Sequence, residues 1–145
     1  MEIIQITDLH ISKDKSDSKH DCVPYERLTK VLEHISANHS KHSNLVITGD
    51  LSSDFTHESY KNISSLIKQF EFNVSILPGN HDDLSMMKLI CDDQIKLESL
   101  DCKNKYFSIF NFDTHIQDNV KGVINQREIE NCLLYTSPSP RDMWT

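Results

Sequence analysis

Basic residues and long apolar runs are scarce in this sequence. Its 145 residues include 15 Lys and Arg against 22 Asp and Glu, which gives a formal net charge of -7. Domains that bind nucleic acid through counterion release are usually basic, so we expect no nucleic-acid partner. The longest apolar stretches, such as Leu45–Ile47 and Val74–Leu77, are far shorter than a bilayer span, so we expect no membrane partner.

Signals for secretion and for disulfides are missing as well. The opening segment Met1–Thr7 has neither a basic stretch nor a long apolar run, so we expect no signal peptide. The four cysteines are widely spaced and form no C-x-x-C pair, which favours reduced thiols. A composition of 37% hydrophobic and 26% charged residues is typical of one globular domain. We therefore expect a cytoplasmic, single-domain protein.

The last fourteen residues differ in composition from the rest of the chain. The segment Cys132–Asp142 can be encoded by a transposase sequencing adapter read in one frame, and Met143–Thr145 would follow as its barcode. We therefore expect residues 1–131 to be a truncated domain and residues 132–145 to be a non-native tail.

Strand-like and helix-like segments alternate through the first half of the chain. Ile- and Val-rich stretches predict strands, and apolar residues at helical spacing predict helices. The order β-α-β-α-β predicts an α/β fold whose parallel strands are joined by right-handed crossovers. Its segments are Glu2–Thr7, Tyr25–His39, Asn44–Thr48, a helix capped by Thr56, and Asn73–Leu77.

Shorter elements are predicted in the second half of the chain, and a charged loop in the first. We expect a helix over Ser85–Cys91, a strand over Tyr106–Phe112 and a helix that begins at Gln126 and is interrupted at Asn131. Alternating charges over Lys13–Lys19 predict a mobile loop, which could border a substrate pocket because it follows the first strand.

Polar residues of one kind follow each of the three predicted strands. Asp8-Leu-His10 comes after the first strand, Gly49-Asp50 after the second, and Gly79-Asn-His-Asp82 after the third. In parallel sheets the loops at the carboxyl ends of the strands meet at one edge, where ligands bind. Each motif alone is common in proteins, but the three together, in order, indicate a functional site.

These residues have the chemistry of a metal centre. Mixed carboxylate and imidazole donors suit Mn, Fe or Zn better than Ca or Mg. Asp8 and His10 can bind one ion, Asp50 can bridge two, and Asn80 offers a neutral oxygen to the second. Two such divalent or trivalent ions would clamp and polarise a phosphoryl group. His81 could then contact the phosphate or protonate the leaving oxygen.

With these motifs, the chain resembles the calcineurin-like metallophosphoesterases, whose blocks are D-x-H, G-D and G-N-H-[DE]. Residues around the blocks resemble the cyclic nucleotide phosphodiesterase branch, and the likeness covers nearly all of residues 1–131. The matching segments are Gln5–His10, Thr48–Ser52 with Glu58–Tyr60, Leu77–Asp83, and Phe112–Thr114 with Gly122 and Asn125–Glu128.

The resemblance implies both a fold and a set of site residues. The fold is a four-layer α/β/β/α sandwich, of which residues 1–131 would be the N-terminal half. The metal ligands are Asp8, His10, Asp50 and Asn80, and His81 contacts the phosphate. The family has three further histidines in its second half, which have no counterpart here. We therefore expect this chain to be inactive by itself.

For the longer parent protein, the resemblance implies hydrolysis of a small phosphoester, first of all cyclic AMP, to the 5′ monophosphate. Other phosphoesterase substrates stay open, namely nucleotide-diphosphate lipids, phosphoproteins and generic phosphodiesters. DNA-end nucleases of the family have D-x-H-x-G, whereas this chain has Ser12 in place of the glycine. A non-catalytic scaffold is the alternative of a different class. Oligomeric state and metal identity stay open too.

Overall fold

The chain forms two units, Met1–Glu98 and Ser99–Thr145. They are seen in a computed structural model. The model describes residues 2–19, 21–40, 43–97, 102–103, 108–109, 112–116 and 119–135.

The first unit is built on a parallel sheet of four strands. Its strands are β1 (Ile3–Ile6), β2 (Asn44–Thr48), β3 (Asn73–Leu77) and β4 (Ile95–Lys96), and they lie side by side in chain order. The register aligns Ile6 with Ile47, and Thr48 with Leu77. The loops that follow β1, β2 and β3 therefore leave the sheet at the same edge.

Three helices connect or follow these strands: α1 (Pro24–Asn38), α2 (His57–Ile67) and α3 (Leu84–Leu89). Proline suits the first turn of α1 because that position has no hydrogen-bond partner within the helix. Thr56 caps α2 by accepting a hydrogen bond from the Ser59 N–H at 3.2 Å. Asp83 caps α3 in the same way, through the N–H groups of Ser85 and Met86.

The core lies where α1 and α2 pack against alternate side chains of the sheet. Apolar residues at helical spacing in α1 and at every second position of the strands supply it, as expected for one buried face per element. Its buried members are Ile11, Leu28, Leu32, Ile35, Leu45, Ile47, Leu51, Tyr60, Ile63, Leu66, Ile67, Phe72, Val74, Ile76, Met87, Ile90 and Ile95.

The predicted α/β class and the parallel β-α-β-α-β start are confirmed. Strands β2 and β3 have the predicted bounds, and the other predicted elements of this unit shift by one or two residues. The sequence analysis missed β4, whose two residues are too few to show the alternation of apolar and polar side chains that predicts a strand. It joins the sheet because Ile95 pairs with Val74 of β3 and is fully buried.

The second unit contains an antiparallel pair, β5 (Cys102–Lys103) with β6 (Ser108–Ile109), and the helix α4 (Gln126–Tyr135). Of the strand predicted over residues 106–112, only Ser108–Ile109 is a strand among the described residues, and Phe112 lies in a loop. Helix α4 begins at the predicted residue but continues to Tyr135, since no proline occurs between residues 126 and 137. Residues 136–145 lie outside the described part, so the adapter origin of residues 132–145 stays a prediction.

None of the helices among the described residues is both long enough and apolar enough to span a bilayer.

The charged loop after β1 is anchored where it begins. Ile11 bridges to Ser52 in parallel fashion, and the Asn62 side chain donates hydrogen bonds to the carbonyl oxygens of Ser12 and Lys13. The Lys13 N–H in turn donates to the Asp54 carboxylate at 2.8 Å. These bonds hold residues 11–13 against the segment that follows β2. The mobility predicted for Lys13–Lys19 stays a prediction.

Asp54 gives this anchoring a pH dependence. Burial opposes its charge, but hydrogen bonds from the Lys13 N–H and from Thr56 outweigh burial and hold the pKa of Asp54 below its ordinary value. A carboxylate with a lowered folded pKa adds its full stability above its unfolded pKa of about 4, and that stability is lost as the pH falls through the folded pKa.

We expect Asp54→Asn to lower the free energy of unfolding at pH 7, because the charged acceptor of these hydrogen bonds is lost. The loss should be only about 1 kcal/mol, since the carboxylate is partly exposed and screened by water. The difference from wild type should shrink as the pH is lowered from 5 towards 2. Urea unfolding at several pH values measures it, and Asp93→Asn, at an exposed aspartate, is the matched control. A difference that stays constant with pH would contradict this role of Asp54.

Candidate metal centre

Asp8 and His10 lie in the turn that follows β1. Both have left-handed backbone conformations, with φ of 57° and 46°. The turn is held to the loop after β2, since the Asp8 N–H donates to the Gly49 carbonyl at 3.1 Å and the His10 N–H to the Asp50 carbonyl at 2.9 Å. Left-handed conformations cost free energy in residues other than glycine, and they cluster at functional sites.

Asp50 sits at the equivalent place after β2, again with a positive φ of 54°. Its Oδ1 accepts a hydrogen bond from the His81 backbone N–H at 3.0 Å, so the loop after β3 helps to orient this carboxylate. Asp50 is the least exposed of the three charged candidates, since its side chain is 16% exposed, against 61% for Asp8.

The structure brings Asp8, His10 and Asp50 together. Nε2 of His10 lies 3.8 Å from Oδ1 of Asp8 and 3.7 Å from Oδ2 of Asp50, and one ligand atom from each residue lies within 4.8 Å of the others. Within the described part of the chain, neither carboxylate forms an ion pair with Lys or Arg. Two carboxylates and an imidazole that face one point, without a neutralising cation, fit a transition-metal ion.

Asn80 and His81 lie in the exposed loop between β3 and α3. The ring of His81 lies edge-on to that of His10, with 5.4 Å between the centroids, and stacks on Phe55 at 6.0 Å. His81 is therefore adjacent to the carboxylate cluster. The role of Asn80 as a ligand of a second ion stays a prediction.

Phe55 is a neighbour of the site that the sequence analysis missed. It is 46% exposed and has a φ of 57°, in a region where a bulky residue is uncommon. An isolated aromatic residue in a turn gives no sequence signal. Its stack on His81 limits the orientations that the imidazole ring can adopt.

Asp82 was named as the fourth residue of the G-N-H-D motif, but its role was missed. Its side chain is buried, and its carboxylate accepts hydrogen bonds from the N–H groups of Leu51 at 3.0 Å, Ser52 at 3.2 Å and Gly79 at 2.9 Å. Tyr60 donates a further hydrogen bond at 3.0 Å. Burial raises the pKa of Asp82, although the three N–H groups favour the charged form. Asp82 thus ties the loop after β2 to the loop after β3.

Gly49 and Gly79 make this close approach of the two loops possible. A Cβ on Gly49 would lie 2.8 Å from the Gly79 Cα, and a Cβ on Gly79 would lie 2.5 Å from the Asp50 N and closer still to its carboxylate. In the structure the two glycines pack against each other, and a side chain at residue 79 would displace Asp50.

Tyr60 connects this scaffold to the core. Its ring is fully buried, and its hydroxyl donates to Asp82 while it accepts a hydrogen bond from the Asp83 N–H at 2.8 Å. Burial, together with the nearby aspartates, raises the pKa of Tyr60, so the hydroxyl keeps its proton and remains a donor.

We expect Tyr60→Phe to lower the free energy of unfolding by about 1–3 kcal/mol, because it removes one of the hydrogen bonds to the buried Asp82 carboxylate and leaves the Asp83 N–H without its acceptor. Chemical denaturation measures the change. Tyr25→Phe should have little effect, since the Tyr25 hydroxyl makes no hydrogen bond with described residues. Equal effects of the two substitutions would show that the Tyr60 hydroxyl does not support the loops.

Comparison with known proteins agrees with this geometry. The family model described as calcineurin-like phosphoesterase matches residues 1–137. The probable cyclic nucleotide phosphodiesterase CBUA0032 of Coxiella burnetii is 27% identical over 131 residues, which cover 89% of this chain and 51% of that protein. A probable cyclic nucleotide phosphodiesterase of Fibrobacter succinogenes is 31% identical over 106 residues, or 73% of this chain and 40% of the relative.

The 3′,5′-cyclic adenosine monophosphate phosphodiesterase CpdA of Escherichia coli K12 is 33% identical over 82 residues, which are 57% of this chain and 30% of CpdA. The chain thus spans about half the length, or less, of these curated relatives. The match of the family model over nearly the whole sequence, together with the cluster at the sheet edge, shows that the chain belongs to the calcineurin-like phosphoesterase family.

Proposed function

We propose that this chain is the N-terminal part of a metal-dependent phosphodiesterase that hydrolyses a 3′,5′-cyclic nucleotide, first of all cyclic AMP, to the 5′ monophosphate. The observation that supports this most is the convergence of Asp8, His10 and Asp50 on one point beside His81. The names of the relatives support the cyclic nucleotide as substrate.

The first ion of the proposed centre would be held by Asp8, His10 and Asp50. Asp50 has a second carboxylate oxygen with which to bridge to a second ion, and Asn80 would be a ligand of that ion. Iron, manganese and zinc suit this donor set. Such a pair of ions, when bound, polarises the phosphoryl group and supplies a nucleophile at neutral pH.

His81 is the proposed acid of the reaction. Its ring lies beside His10, and Phe55 and the adjacent backbone bond to Asp50 restrict its position. From there the imidazole can donate a hydrogen bond to a phosphate oxygen and then deliver a proton to the departing 3′ oxygen.

The remaining ligands would come from sequence that this chain does not contain. Its only histidine after His81 is His115, and it has no G-H-x-H motif. We therefore propose that the chain by itself binds metal weakly and does not turn over substrate. The longer protein would have the activity.

Metal binding can be measured on the chain directly. We expect calorimetric titration with Mn²⁺ or Zn²⁺ to give fewer than two tightly bound ions. We expect Asp50→Asn to weaken the binding at least about 10-fold, because loss of a ligand should cost no less than loss of a residue that only hydrogen-bonds to a ligand. Asp93→Asn makes the same change at an exposed aspartate and should have no effect. Two tight sites, or unchanged binding in Asp50→Asn, would contradict the proposed centre.

Activity needs a longer protein that includes residues 1–131. We expect it to hydrolyse cyclic AMP with Mn²⁺, Fe²⁺ or Zn²⁺, and to lose about 100-fold or more of its kcat/KM in Asp50→Asn. An aryl phosphodiester and an aryl phosphomonoester should be assayed in parallel. Faster turnover of the monoester would favour another phosphoesterase substrate, and metal binding without any turnover would favour a scaffold.

A further inference from the structure

A cavity of about 730 Å³ opens beside the candidate metal centre. Asp8, His10 and His81 form part of its wall, so it is continuous with the proposed reaction site. Pockets of about 300–1,000 Å³ enclose ligands of the size of drugs and cofactors, well above the size of a phosphate group. The cavity has room for the part of a substrate that does not react.

Away from the metal centre, one wall of the cavity is apolar. Leu9 follows Asp8 in the turn after β1, and Pro24, Leu28 and Val31 come from the first two turns of α1. Val31 is 42% exposed, although its neighbours Leu28 and Leu32 are buried in the core. A flat, largely apolar group laid on this wall would remove the Val31 side chain from water.

The charged side chains on this part of the wall are cations. Lys19 donates a hydrogen bond to the Ser53 hydroxyl, and the Arg27 guanidinium forms no ion pair or hydrogen bond with described residues. Lysine and arginine side chains can only donate hydrogen bonds. They therefore favour a ligand edge that accepts, and N7 of a purine is such an acceptor in both adenine and guanine.

We propose that this cavity is a purine subsite, in which the base lies on Leu28, Val31 and Pro24 while Arg27 donates a hydrogen bond to N7. The proposal rests on the proposed function, because it assumes that the phosphate of a nucleotide lies at Asp8, His10 and Asp50. Arg27 is then a specificity-determining residue that favours purine over pyrimidine nucleotides. Pyrimidines lack N7, and their single ring covers less of the apolar wall.

The subsite can be tested without metal and without turnover. Amide chemical shifts of the 145-residue chain in EDTA are followed by NMR during titration with adenosine, cytidine and ribose, which carry no phosphate for the carboxylates of Asp8 and Asp50 to repel. We expect adenosine to shift the amides of Leu28 and Val31 and to bind at least fivefold more tightly than cytidine, the counterpart of about 1 kcal/mol in affinity. Ribose, which has no base, should leave those two amides unchanged.

Two substitutions on α1 assign the preference to Arg27. Arg27→Gln should weaken binding of adenosine about tenfold, as expected for a lost charged hydrogen bond, and should remove the preference over cytidine. Lys30→Gln removes the same charge one turn further along the helix, at a residue that does not line the cavity, and should leave binding unchanged. Amide spectra of both variants show whether each is folded.

Equal binding of adenosine and cytidine, or a purine preference that survives Arg27→Gln, would overturn the subsite. These outcomes are distinct from failure of the proposed function. Purine binding in EDTA with no cyclic AMP hydrolysis by the longer protein would reject the reaction and keep the subsite. Hydrolysis of purine and pyrimidine cyclic nucleotides at equal rates by the longer protein would keep the reaction and reject the subsite.

Discussion

The buried carboxylate of Asp82 is the interaction on which the geometry of this site depends. It accepts hydrogen bonds from N–H groups on both sides of the site, at Leu51 and Ser52 after β2 and at Gly79 after β3. Burying a carboxylate is costly unless its oxygens are hydrogen-bonded, and here each oxygen has partners. The same bonds that make burial tolerable therefore fix the distance between the two loops. Asp50 and His81 lie in those two loops, so the same hydrogen bonds set the distance between them.

This rigidity explains how the chain tolerates an unusual amount of backbone strain. Asp8, His10, Asp50 and Phe55 all have positive φ, although none is glycine. Each such residue costs of order 1 kcal/mol or more and persists only where its surroundings over-determine it. The hydrogen bonds from Asp8 and His10 to the loop after β2 provide that support. Strain at the three charged residues turns their side chains away from the alternating directions of a strand and towards one another.

The sequence predicted the parallel sheet and the placement of most site residues at one edge of it, because both follow from local patterns of apolar and polar residues. Apolar runs located β2 and β3 to the residue, and parallel strands bring Asp8, His10 and Asp50 to one edge. The parts that it missed depend on contacts between distant residues. The role of Asp82 depends on hydrogen bonds from Leu51 and Tyr60, which are distant in sequence. Strand β4 has only two residues, and the role of Phe55 depends on its stack on His81.

The loop after β1 links the proposed chemistry to the proposed recognition of the base. It starts with Asp8 and His10 at the metal centre and leads, through Lys19, to the first turns of α1, where Arg27 lines the cavity. Lys13 and Ser12 of this loop are hydrogen-bonded to Asp54 and Asn62, respectively, in the segment that follows Asp50. A phosphate at the carboxylates and a base on α1 would thus be held by one continuous segment. Because that segment is anchored before any ligand binds, less conformational entropy is lost on binding, and the distance between the two groups selects the length of the substrate.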